Sequence, residues 1–188
     1  VGAGGSLTVQ FNTPIQNSAS HPFGLDFIVF GHAGFTITNG DYWGGGITDG
    51  AFFQGGSGTA RVSVSADGVT FYALNPALAP AIDALFPTDA GGNVFTPVNP
   101  ALAASDFAGK DLNGIRALYA GSAGGAGFDL AWAQDANGQS VSLPSVSFVR
   151  IDVLSGKIFL DAIAAVPQTP AWTLADSATF HEDFATDP

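Results

Sequence analysis

Hydrophobic positions recur with period two along much of the chain. In residues 5–11, Leu7, Val9 and Phe11 alternate with polar neighbours, the pattern of a strand with one buried face. Residues 12–22 form a polar turn region. Residues 23–30 (FGLDFIVF) are nearly continuous apolar, which predicts a strand buried on both faces, with Asp26 inside it. Residues 61–65 and 69–74 flank Ala66-Asp67-Gly68 and predict a β-hairpin. Further strands are expected over 114–119, 128–133, 145–153 (Val146, Phe148, Ile151 and Val153 inward) and 157–166, with a turn at Asp135–Gly138 before Val141 and Leu143.

Between these runs, residues 31–58 are glycine-rich and aromatic, as in a long loop layer or irregular hairpin. Leu78, Ile82, Leu85 and Phe86 stand at roughly helical spacing and predict a short helix over 76–86, and 101–107 reads as another helical turn. Many short, turn-punctuated strands with little helix indicate an all-β fold. The expectation is an antiparallel β-sandwich or jelly roll with long Gly-rich loops and one or two short helices. The strand rhythm stops near 166, so residues 1–166 read as the sandwich domain. Pro167-Gln-Thr-Pro170 reads as a linker, and 167–188 as the linker plus the start of a further domain or an exchanged strand.

An ordered series of segments carries a resemblance. It runs through GGSLTVQF (4–11), LDFIVFGH (25–32), VSVSADGVTFY (62–72), GIRALYAG (114–121), GFDLAWA (127–133), VSFVRI (146–151) and LDAIAAV (160–166). The series resembles an exported β-sandwich domain of bacterial cell-surface proteins, including many that end in a PEP-CTERM sorting tail. The resemblance implies a secreted or cell-surface sandwich and little chemistry. The chain departs from that pattern in lacking the sorting tail and the segment usually found before the Gly-Gly-Ser strand. With Val1 in place of an initiator Met, it is expected to be a slice of a longer protein.

Composition narrows the partners. The 188 residues hold 5 Lys and Arg against 16 Asp and Glu, for a net charge of −11. Nucleic acid is disfavoured, because phosphate binding needs clustered cations, and so is an anionic membrane surface. No apolar run approaches the ~20 residues that span a bilayer, so no membrane insertion is expected. Charged residues are 11% of the chain, below the usual ~25%, leaving a neutral polar surface. Cys and Met are absent, which removes thiol catalysis and cysteine-ligated metals. Glu182 is the only glutamate, and the aspartate bias favours turns and calcium loops.

Calcium is therefore the candidate cofactor. Asp135, Asn137 and Gln139 place oxygen-bearing side chains at alternate positions around Gly138; the same residues suit a turn in which Asp and Asn cap their own backbone. Asp26, Asp129 and Asp161 each sit in an apolar segment, where a carboxylate must pair, bind a cation or turn to solvent. Tyr42 and Trp43, among glycines and beside Asp41 and Asp49, are the candidate ligand-binding residues. Sugar rings stack on exposed aromatic faces and their hydroxyls bond carboxylates, while the competing reading has both rings anchoring the loop inward.

Enzyme motifs fail on inspection. Leu7 replaces the last glycine of a dinucleotide loop, Ala185 stands where a zinc-protease helix needs histidine, and Thr59 ends the one near-match to a nucleophile elbow. The expected function is a non-catalytic secreted surface module for adhesion, matrix structure or glycan contact, stabilised by calcium. Its partners would be a glycan or other surface polymer, with self-association possible in principle. The alternatives are a self-assembling fibre or sheath subunit, and a carbohydrate-active hydrolase using paired aspartates.

Overall fold

The computed structural model describes residues 1–168; the expectations for a further domain or an exchanged strand fall mainly on residues outside the described ones. Ten strands and two short helices follow one another: β1 (Ser6–Gln16), β2 (Phe27–Phe30), β3 (Gly34–Ile37), β4 (Thr48–Phe53), β5 (Thr59–Ser65), β6 (Tyr72–Leu74), α1 (Ala104–Phe107), α2 (Leu112–Tyr119), β7 (Ala126–Phe128), β8 (Ala133–Gln134), β9 (Ser145–Ser155) and β10 (Ala162–Ala165). They form an antiparallel five-stranded sheet, β1-β9-β5-β6-β8, a three-stranded sheet, β10-β2-β7, and the β3-β4 hairpin. The fold is an all-β sandwich, as the strand rhythm predicts.

The main core lies between the two larger sheets. Val62 and Val64 of β5 and Val149, Ile151 and Val153 of β9 face Phe27 and Val29 of β2 and Phe128 of β7. Phe27 and Phe128 are register partners whose rings stack at 5.2 Å. Strand β2 is the one the sequence marks as buried on both faces, and the reason is now visible. Phe27 and Val29 point into the main core, while Ile28 and Phe30 join Ala123, Ala164 and Val166 on the other side. A third cluster, aromatic in character, packs Phe35 and Phe52 of the hairpin over Phe86, Phe107 and Tyr119. Its ring centroids stand 5.2–6.3 Å apart, tilted or edge-on as aromatic quadrupoles prefer.

Four local expectations are corrected. Residues 114–119 are helix α2, not strand. Asp111 caps it by accepting a hydrogen bond from the Gly114 amide at 2.8 Å, and Ala120 ends it with a left-handed φ of +50°. Ile115 and Tyr119, one turn apart, supply its buried side. Residues 76–86 form no helix. Asn75 takes the amides of Ala77, Leu78 and Ala79 into a single turn, Pro80 cannot continue it, and Asp83 and Phe86 adopt φ of +61° and +43°. The run 128–133 is interrupted by a 3₁₀ turn at Leu130–Trp132 between β7 and β8. In β9 the phase also differs from the expected one: Val149 is buried and Phe148 is not, and the β1 pairing shifts register alongside, between Gln10 and Ile15.

Candidate functional site

The β3-β4 hairpin carries the Tyr42–Trp43 loop at its tip. Asn39 braces this loop from inside: its amide donates to the Gly45 carbonyl at 2.8 Å, and its oxygen accepts from the amides of Asp41 and Ile47. Asp41 Oδ1 accepts from the Trp43 amide at 2.9 Å, an Asx turn that fixes the backbone under the indole. Gly44 takes a φ of +107°, and a Cβ on Gly46 would meet the Asp41 carbonyl at 2.7 Å, so this turn excludes larger residues.

With the backbone so held, both rings point outward. Trp43 is 98% exposed and Tyr42 73% exposed, so neither anchors the loop. Tyr42, Asp41 and Gly44 line one wall of an open cleft of about 280 Å³, and Leu112 and Ile115 of α2 contribute the other. Asp49 is not brought to this cleft. It stands exposed on β4, where its Oδ1 accepts from the Ala51 amide.

The candidate metal residues are dispersed. Asp26 is fully buried: Oδ1 lies 2.7 Å from His21 Nδ1 and accepts from the Ser18 amide, and Oδ2 accepts from the Leu130 amide at 2.8 Å. His21 was not singled out from the sequence; the only available signal is its position five residues before a strand aspartate. Its Nε2 is sealed from solvent and has no hydrogen-bond partner among the described residues. The β2-β7 register sets Asp129 across from Asp26, and burial, reinforced by that neighbouring charge, pushes the Asp129 carboxyl above the usual carboxylate range.

Asp161 is elsewhere. It is exposed at the opposite end of β2, where its amide donates to the Phe30 carbonyl, roughly 15 Å of strand away from Asp26. Its carboxylate lies 4.0 Å from His32 Nδ1, both side chains largely in solvent. His32 and Asp161 line an open hollow of about 390 Å³ with Thr88 and Phe53.

The Asp135 turn closes on itself. Oδ1 accepts from the amides of Asn137 and Gln139 at 2.8 and 2.9 Å, and these bonds hold its carboxyl below the usual range. The Asn137 side chain also bonds the Asp135 carboxyl, so a cation at this turn would meet that pair of groups. Among the described residues no three His, Cys, Asp or Glu side chains converge as a metal cluster.

A buried aspartate that the sequence reading passed over does structural work instead. Asp83 accepts from the amides of His32, Gly56 and Phe159, gathering three loops on one carboxylate. Gly31 and Gly55 are required beside it, since a Cβ on either would lie within 2.5–2.8 Å of Asp83 atoms.

Compared with known proteins, the chain matches no family model and no curated protein.

Proposed function

We propose that the chain is a non-catalytic module of an exported cell-surface protein that contacts glycans through the Tyr42–Trp43 loop. The observation that carries this reading is the indole of Trp43, 98% exposed on a backbone held by Asn39 and Asp41. Exposing so large an apolar surface costs solvation free energy, and a loop braced to keep it exposed presents it to something. A flat aromatic face beside a carboxylate and an open cleft suits a pyranose ring, whose C–H face stacks and whose hydroxyls bond the acid. The all-β frame, the low share of charged residues and the segments that resemble exported bacterial domains favour the same reading.

Calcium belongs to this proposal at the Asp135 turn, where an ionised carboxylate stands beside the side chain of Asn137. The paired-aspartate hydrolase draws no support from Asp26 and Asp129. They are neighbours, but Asp26 is sealed in the core with both oxygens engaged.

The experiment is a glycan array read with the wild type and Trp43→Ala. The variant should lose binding while its stability stays within about 0.5 kcal/mol, as for other exposed positions. Binding that survives Trp43→Ala, or a wild type that binds no glycan, refutes the reading.

A further inference from the structure

A second hollow lies on the solvent face of the five-stranded sheet. The β5-β9 register sets Arg61 opposite Asp152 and Ser63 opposite Arg150, and β6 and β8 extend the second row through Ala73 and Gln134. Two of the chain's five cationic residues thus stand side by side on one sheet face of a protein with net charge −11. Arg61 has a structural reason to be there, donating to Asp152 Oδ2 at 3.2 Å.

Arg150 does not. Its guanidinium carbon lies 4.3 Å from the centroid of the Phe71 ring, and among the described residues it donates no hydrogen bond. Nε is 3.3 Å from Asp152 Oδ2, close enough for charge attraction but misaligned for a hydrogen bond. A guanidinium seated over an aromatic ring with its two terminal nitrogens unbonded presents a fork, the geometry that pairs with a planar carboxylate.

The rest of the hollow, about 230 Å³, supplies a different chemistry. Asp135 Oδ1 accepts the Asn137 and Gln139 amides, and the Gln134 side chain makes no hydrogen bond among the described residues. An acceptor and an amide beside a fork fit a hydroxylated ring carrying one acid group. The volume is below the ~300–1,000 Å³ of a drug-sized site, which limits the occupant to a single small unit. Arg61 and Arg150 are balanced by Asp152 and Asp135, so recognition rests on directed bonds and not on a positive field.

We propose that this hollow binds a uronic-acid residue, with Arg150 on the carboxylate and Asp135 and Gln134 on the ring hydroxyls. The site is separate from the Trp43 loop and would serve as a second contact to an acidic polysaccharide.

The test is an amide-shift NMR titration of the whole chain with galacturonate in excess chelator, with galactose and acetate run in parallel. Galacturonate should shift the amides around residues 71–73, 134–136 and 150 to saturation, well below the concentrations at which galactose or acetate acts. Arg150→Lys, which keeps the charge and stem but not the fork, should weaken binding about tenfold or more. Should that variant not fold, the wild-type shift map and Arg61→Gln, expected to weaken binding less, decide the matter. Trp43→Ala should bind galacturonate unchanged, so failure here leaves the Trp43 reading standing. The proposal is overturned if galactose or acetate binds as well as galacturonate, if the shifts fall elsewhere, or if Arg150→Lys keeps full affinity.

Discussion

The Asp83 clamp offers the sharpest test of how this fold is held. Asp83 is 4% exposed and receives three backbone amides, from the turn after β2, the approach to β5 and the approach to β10. Asp83→Asn preserves size and the left-handed backbone, which Asn tolerates, so it isolates the second carboxylate oxygen. The amide will orient its oxygen toward Gly56 and Phe159, and its NH₂ then meets the His32 amide, donor against donor. One part-buried amide, that of His32, loses a charge-assisted bond worth roughly 1.5–3 kcal/mol, and two bonds weaken to neutral strength. A total near 3 kcal/mol corresponds to a fall in Tm of about 6–12 °C for a chain of this size. Circular dichroism melts and urea titration would measure it, with Asp49→Asn as an exposed control that keeps its own turn oxygen and should stay within about 0.5 kcal/mol. If Asp83→Asn melts within about 2 °C of wild type, the clamp is not what holds these loops together.

Two further outcomes are expected. The raised folded-state pKa of Asp129 means its ionisation disfavours the fold above that pKa, and the penalty disappears as pH falls below the ordinary value of 3.8. Asp129→Asn, which keeps the bond from the Ala131 amide, should therefore melt higher than wild type at pH 7 and lose that advantage at pH 3; a variant no more stable at pH 7 contradicts the assignment. If the Asp135 turn holds calcium, chelator should lower Tm, added calcium should restore it, and Asp135→Asn should abolish the response; a melting curve that ignores both treatments removes calcium from the proposal.

Local pattern by itself determined most of the sheet system. Strict alternation in Leu7-Val9-Phe11 and Val62-Val64, the Asp-Gly turn between β5 and β6, and the unbroken apolar run of β2 are each readable because a strand's two faces are set by period two. The aromatic loop was legible as a candidate, but glycine-flanked Tyr42 and Trp43 are the same sequence whether they anchor or protrude. Only the Asn39 and Asp41 bonds at the tip of a folded hairpin decide that they protrude.

Where local signals conflicted, long-range packing settled them. Residues 112–119 carry enough apolar positions for either period, and the aromatic cluster over Phe107 favours the helix that presents Ile115 and Tyr119 together. The fates of the aspartates were equally hidden. Asp26 became the partner of His21, Asp161 an exposed end, and Asp83 a clamp for three loops. A carboxylate's role is set by which donors lie within about 3 Å, and those donors come from amides as much as 104 residues away. The Arg61–Arg150 pair arises in the same way. Residues 89 apart in sequence share one sheet face only because β5 and β9 pair in register, which no spacing along the chain records.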